Sequence, residues 1–267
     1  MGAVRLDTKQ VVKPWGRTDI GAFPNPAGEQ VGEIWFDGPE GRRPPLLVKY
    51  IFTSEKLSIQ VHPTDEQAHD AGLPGGKNEC WYILDAEPGA TLGIGTTREL
   101  DGEALRASAL DGSLEALMDW KPVQPGSFFY IPAGTVHAIG AGVTLVEVQI
   151  NNDVTYRLFD YGRPRELHLD AGVAVSQARP YPMAERVIPT GGDAVMLERG
   201  EAPFALDMRH WDAGQGETLR AGQGWFIPLS GAGTIDGAAW EAHQCWLIEG
   251  EAAVTVDAAA DVLVATV

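Results

Sequence analysis

Two stretches decide how this chain reads: Leu57-Ser58-Ile59-Gln60-Val61-His62, and Gly126-Ser127-Phe128-Phe129-Tyr130-Ile131-Pro132-Ala133-Gly134-Thr135-Val136-His137. In the first, a period of two puts Leu57, Ile59 and Val61 on one face and Ser58, Gln60 and His62 on the other. A strand this short with a wholly polar second face either meets solvent or lines a cavity. In the second, an aromatic strand runs into a proline, glycines permit tight turns, and the chain returns on a histidine. Further short runs at 46–53, 79–84, 143–150 and 154–159 are rich in Val, Ile, Tyr, Phe and Trp. Pro-Gly, Gly-Gly and Asn-Asn pairs punctuate them, in a chain with 32 glycines and 18 prolines. Short strands with frequent turns predict an all-β sandwich or barrel with a few short helices. Helical signals are confined to the residues after Thr64, to 100–120 and to 167–176.

The 267 residues carry 20 basic and 37 acidic side chains, a formal charge of −17, which disfavours nucleic acid as a partner. No apolar stretch approaches the roughly 20 residues of a membrane helix, and the first ten residues lack the apolar core of a secretory signal. Leu6 stands where N-myristoylation favours Ser or Thr. Cys80 and Cys245 lie in apolar runs and read as buried free thiols, so the expected compartment is the cytoplasm. An internal echo relates residues 126–137 to 222–233, in register, with Gly233 where the first copy has His137. The proline-bearing segment 178–189 is the natural linker, predicting one unit over 1–178 and a smaller one over 179–267. A rival likeness, Glu-Cys-Trp-Tyr-Ile-Leu at 79–84 against Gln-Cys-Trp-Leu-Ile-Glu at 244–249, runs in the wrong order relative to this repeat and reads as chance.

Gly126, Pro132, Gly134 and His137 fit Gly-x5-Pro-x-Gly-x2-His, and in this spacing the chain resembles the cupin β-barrels. Gln60-x-His62 followed by Lys77-Asn78-Glu79-Cys80-Trp81 is similar to type I mannose-6-phosphate isomerases. Lys13-Pro14-Trp15-Gly16, Gly32-Glu33-Ile34-Trp35, residues 131–138 and Thr155-Tyr156-Arg157-Leu158-Phe159-Asp160-Tyr161 resemble the same family. The C-terminal quarter resembles the small, degenerate second cupin domain of its compact bacterial form. The resemblance implies a jelly-roll-like catalytic barrel, one zinc per chain, and interconversion of mannose 6-phosphate and fructose 6-phosphate through a cis-enediol.

Its implied metal ligands are Gln60, His62, Glu79 and His137, with Gln60 resting mainly on the family likeness. Two imidazoles, a carboxylate and an amide oxygen form a mixed set suited to zinc with an open position. A phosphate-bearing substrate needs cations, and Lys49, Lys77 and Arg157 lie near the ligands in sequence, with Ser58 on the Gln60 face. Lys49 either meets phosphate or snorkels at a barrel edge; Lys77 either meets phosphate or sits at a solvated loop tip. Arg157 lies in an apolar strand and calls for an anion there. Glu147 either pairs with Arg157 or moves a proton. The expected partner is a phosphosugar, with the protein a monomer or weak homodimer. Two other functions fit the same barrel: an iron-dependent oxygenase, and a non-catalytic sugar-binding cupin, a role that Gly233 suits in the second copy.

Overall fold

The computed structural model describes residues 2–39 and 42–267. Its strands form three antiparallel sheets of seven, five and eight strands. Strands Arg186–Val187, Ser127–Ile131, Glu79–Ala86, Val143–Ile150, Leu46–Phe52, Val31–Asp37 and Asp7–Arg17 lie side by side in the first. The five-stranded sheet runs Tyr156–Phe159, Ile59–Val61, His137–Ile139, Thr91–Thr96, Met118–Pro122. These two sheets face each other as a jelly roll, with Trp15, Trp81, Ile83, Leu92, Phe129 and Leu145 packed between them.

The other face of the seven-stranded sheet is also covered. Val48, Tyr50, Cys80, Tyr82, Phe128, Tyr130 and Val148 share one core with Trp225, Ile227, Cys245, Leu247 and Leu263 of the eight-stranded sheet. Burial on both faces explains why Leu46–Phe52 is apolar at six of seven positions and wholly buried, instead of alternating. Both cysteines are buried and free, as their apolar runs predict.

The predicted helices form at Asp65–Asp70, Gly102–Asp111, Leu114–Leu117 and Leu169–Val175. Thr64 caps the first through a capping box with Gln67. Side chains of the other three close the outer face of the five-stranded sheet over Ile59, Val61, Ala138 and Leu158. The polar residues Ser58, Gln60 and His62 therefore turn inward, toward the space between the two sheets.

Residues on either side of position 178 exchange edge strands. Ala3–Arg5 pairs with the strand Trp246–Ala258, while Arg186–Val187 pairs with Ser127–Ile131. The segment after Ala178 is thus stitched to the first unit, and the Tyr181 hydroxyl donates to the Tyr130 carbonyl. The two echoed segments both run strand, proline turn, strand. In each, the aromatic strand pairs with the Cys-Trp strand: Trp81 opposite Phe129, and Trp246 opposite Phe226. The Cys-Trp likeness therefore marks corresponding neighbours in space despite its reversed order along the chain. The second unit differs inside, where Trp211, Phe226, Trp240 and Trp246 fill an apolar core. At Gly233 an added Cβ would meet the Thr255 carbonyl at 1.9 Å.

Candidate metal centre

The candidate ligands come from both faces of the jelly roll. Gln60 lies in Ile59–Val61, His62 follows that strand, and His137 pairs directly opposite Gln60 across the five-stranded sheet. Glu79 opens a strand of the facing sheet. Gly134, at φ +87°, donates its N–H to the His62 carbonyl at 2.8 Å, so its left-handed turn ties the two histidine-bearing segments together. Gly76 has a similar use: a Cβ there would strike the Pro63 carbonyl at 2.4 Å. Its absence lets the Lys77 N–H reach that carbonyl and directs the loop inward, so that Lys77 is buried.

His62, Glu79 and His137 are buried, and their ligating atoms lie within 4.8 Å of one another. Each imidazole donates Nδ1–H to a backbone carbonyl, His62 to Val154 at 2.7 Å and His137 to Thr135 at 2.8 Å. A carbonyl only accepts, so each Nε2 keeps its lone pair in the neutral ring. Those lone pairs face carboxylate oxygens: His62 Nε2 is 3.4 Å from Glu79 Oε2, and His137 Nε2 is 3.4 Å from Glu79 Oε1. His62 Nε2 and Glu79 Oε1 have no hydrogen-bond partner. Opposed buried lone pairs repel unless a cation lies between them. Atoms about 2.1 Å from a tetrahedral ion stand about 3.4 Å apart, so these side chains fit a divalent metal.

The protonation states suit that role. Burial, reinforced by the Lys77 charge, lowers the His62 pKa. Burial likewise lowers His137 to about 3. Burial pushes Glu79 upward, but Lys77, His62 and His137 outweigh it and hold the carboxyl well below its usual value. At neutral pH the set is two neutral imidazoles and a carboxylate, the deprotonated forms a metal requires. The Gln60 amide nitrogen stands 3.3 Å from His137 Nε2, while its oxygen accepts from Ser58 Oγ at 3.2 Å. Rotating that amide by half a turn would aim the oxygen at the cluster.

Beside the cluster opens a cleft of about 420 Å³ lined by Ser58, Gln60, Lys49, Lys77, Glu147 and Arg157. All the sequence-predicted residues are thus brought to one place, though two pairings differ from expectation. Lys49 neither snorkels nor stands free: buried, it pairs with Glu147 at 3.1 Å and Glu33 at 3.7 Å and lies 4.7 Å over the Trp35 ring. Lys77 is not a solvated tip, because its Nζ stands 2.6 Å from Glu79 Oε2 and 3.9 Å from Glu147 Oε1. Glu147 therefore has lysine partners rather than Arg157, and its other oxygen accepts from Trp81 Nε1 at 2.9 Å. Arg157 is half-buried as a residue, and its guanidinium donates to the Glu166 carbonyl at 2.9 Å. Among the described residues it has no carboxylate within 4.0 Å.

Sequence reasoning missed several residues of the wall. Glu33, Lys13, Trp35, Asp153 and Arg165 also line the cleft. The signal for Glu33 and Lys13 was present in the motifs at 13–16 and 32–35, which carried the family likeness without any role for individual side chains. Arg165 is held by Asp160 through both carboxylate oxygens. Six cations, Lys9, Lys13, Lys49, Lys77, Arg157 and Arg165, face three carboxylates, Glu33, Glu147 and Asp153, in this cleft. Even when Glu79 and Asp160, the partners of Lys77 and Arg165, are added to the carboxylates, the cleft keeps a slight positive excess in a protein of net charge −17, which favours an anionic ligand.

No protein-family model matches the chain. The mannose-6-phosphate isomerase ManA of Bacillus subtilis is 41% identical over 172 residues, covering 58% of this chain and 53% of that protein. The mannose-6-phosphate isomerase of Streptococcus mutans is 40% identical over 139 residues, covering 49% of this chain and 43% of its own. In sequence, then, the chain spans about half the length of the curated relatives it matches. In structure the likeness is end to end: the crystal structure of a B. subtilis mannose 6-phosphate isomerase superposes with a TM-score of 0.81 and 24% identity over 100% of both chains. By fold along its whole length, and by sequence over more than half of it, the chain is similar to mannose-6-phosphate isomerases.

Proposed function

We propose that the protein is a zinc-dependent aldose–ketose isomerase that interconverts mannose 6-phosphate and fructose 6-phosphate. One observation carries this reading: two histidines locked with Nε2 toward a single buried carboxylate, at the base of a cationic cleft in an anionic protein. His62, Glu79 and His137 hold one zinc per chain, with Gln60 on the cleft side. The ion would polarise the sugar oxygens and offset negative charge developing on them. Zinc-bound mannose 6-phosphate isomerase is among the solved structures of this fold, with a TM-score of 0.73 and 15% identity over 98% of this chain and 99% of that one.

In the reaction the C2 proton leaves to a base, the C2–H electron pair forms a C1=C2 bond, and the C1 carbonyl oxygen becomes a hydroxyl. The resulting cis-enediol gives up its O2 proton as C2=O forms, and C1 receives a proton. Glu147 is the proposed proton carrier. Glu147 lines the cleft, with its Oε1 paired to Lys49 and its other oxygen anchored by Trp81. Arg157 offers paired N–H donors to the enediolate oxygens, because no carboxylate among the described residues engages them. Ser58, Lys49 and Lys77 are the proposed substrate contacts, with phosphate drawn by the local positive charge. Residues 179–267 act as a structural cap, consistent with an interior filled by tryptophan and phenylalanine.

A coupled assay with mannose 6-phosphate, run before chelation, after it, and after zinc is returned, tests the reading. Activity should vanish with the metal and come back with it. Turnover that ignores chelation, or a zinc-loaded protein inert toward both sugars, would refute it.

A further inference from the structure

Glu33 has no part in the reaction as proposed, yet it is buried in the cleft wall. Its strand, Val31–Asp37, lies beside Leu46–Phe52, and the register runs Trp35 to Lys49, Lys49 to Glu147, and Glu147 to Trp81 across the sheet. Glu33 reaches this row from the side. Its Oε1 meets Lys13 Nζ at 3.1 Å, and its Oε2 accepts from Trp35 Nε1 while facing Lys49 Nζ at 3.7 Å. Charges then alternate without a break: Lys13, Glu33, Lys49, Glu147, Lys77, Glu79. The series begins at the half-exposed Lys13 and ends at a candidate metal ligand.

Such a series is a poor way to stabilise a fold. Buried ion pairs roughly break even against apolar side chains of the same volume. The neighbouring positions on this face are filled by Ile51, Trp81 and Leu145, so apolar packing is available there. The geometry suggests what the extra carboxylate does. Glu147 Oε1 has two ammonium groups near it, Lys49 at 3.1 Å and Lys77 at 3.9 Å. Among the described residues Glu33 is the one other carboxylate that pairs with Lys49; the Trp35 ring lies beneath the same ammonium, and its indole N–H fixes the direction of the Glu33 pull.

We infer that Glu33 is a positioning residue: it shares Lys49 with Glu147, so that the ammonium is divided between two carboxylates instead of pairing with the proposed proton carrier alone. The inference rests on the isomerase reading, with Glu147 as proton carrier. Losing the Glu33 charge leaves Lys49 to Glu147 alone and strengthens that pair, which impairs proton transfer more than it impairs substrate binding. Burial opposes ionisation of Glu33, but Lys49 and Lys13 outweigh it and lower its pKa, so the charge is present at neutral pH.

The test compares zinc-loaded wild type with Glu33→Gln, which keeps the shape and the acceptor for Trp35, and Glu33→Asp, which keeps the charge. Zinc content and thermal unfolding are measured alongside kcat and KM for mannose 6-phosphate. Glu33→Gln should lose about tenfold or more in kcat with KM within about threefold and zinc unchanged, and Glu33→Asp should recover most of the loss. Trp35→Phe, which removes the indole N–H that aims Oε2 along with part of the ring beneath Lys49, should show the same split with a smaller drop of about threefold. Wild-type kcat in both Glu33→Gln and Trp35→Phe overturns the inference. So does a Glu33→Asp protein as slow as Glu33→Gln, or a loss carried wholly by KM. A zinc-loaded wild type with no isomerase activity instead refutes the isomerase reading, and this inference with it.

Discussion

Lys77 Nζ stands 2.6 Å from Glu79 Oε2, with both side chains buried. The lysine neutralises the carboxylate, and it also competes with any cation for it. Removing one partner of such a pair leaves an uncompensated buried charge.

Lys77→Met should therefore destabilise the metal-free protein by about 3–5 kcal/mol, the usual cost of orphaning a buried ion. Zinc should recover more stability in the variant than in wild type, because the ion meets an unopposed carboxylate. Thermal unfolding with chelator and with excess zinc reads both effects. Equal zinc stabilisation of the two proteins would show that Lys77 and the metal do not share Glu79.

His137 Nε2 faces both Glu79 and the Gln60 amide. His137→Ala should abolish zinc retention while the chain stays folded. Elemental analysis after dialysis gives the metal content, and circular dichroism checks the fold. A full equivalent of zinc in the folded variant would remove His137 from the ligand set.

The buried histidines make the metal-free protein sensitive to acid. His137 resists protonation down to about pH 3, whereas its usual value, which the unfolded chain keeps, is 6.5. The unfolded state then binds more protons across that interval, so stability is full above about pH 6.5 and falls as pH drops toward 3. Lowered values at His62 and Glu79 act in the same direction. Each fully neutral histidine contributes a slope of up to about 1.4 kcal/mol per pH unit. Denaturant titrations of the apo protein at pH 7, 5.5 and 4.5 should show this decline, and His137→Gln should flatten it. A wild-type profile level from pH 7 to 4.5 would contradict it.

Arg157 is half-buried, and among the described residues its guanidinium engages only the Glu166 carbonyl. Its loss should leave stability within about 0.5 kcal/mol, as for surface substitutions. In kcat/KM, Arg157→Ala should cost about a hundredfold or more, with kcat carrying most of it, if the guanidinium meets charge that develops in the transition state. Steady-state kinetics on zinc-replete protein decides, and normal turnover would exclude the arginine from the chemistry.

Gly233 tests the second unit. A Cβ there would overlap the Thr255 carbonyl, so Gly233→Ala should cost about 1–3 kcal/mol through overpacking. The metal site lies between the other two sheets, so zinc content and kcat of the folded fraction should match wild type. A large drop in kcat at full folding would show that the cap communicates with the cleft.

Much of this was legible along the chain because it depends on local periodicity. The period of two at Leu57–His62 put Ser58, Gln60 and His62 on one face, and the proline turn after Ile131 brought His137 back beside them. Backbone geometry enforces both over a few residues, so a linear string carries them. The capping box at Thr64 and the aromatic strand before Pro132 are legible for the same reason.

Charge pairing was not legible. Lys49, Lys77, Glu147 and Arg157 were each identifiable as polar groups in apolar surroundings, but which cation meets which anion depends on strands far apart in sequence. Glu147 found Lys49 through the register of two adjacent strands, while Arg157 lies on the opposite sheet and turned to a backbone carbonyl. Coulomb energy varies with distance across space, and sequence separation says nothing of that distance. The sequence alone determined the jelly-roll class, the ligand types and the turn that unites them. Tertiary packing decided the rest: two sheets brought Glu79 between two histidines, and burial stripped away the water that would otherwise have let each charge stand alone.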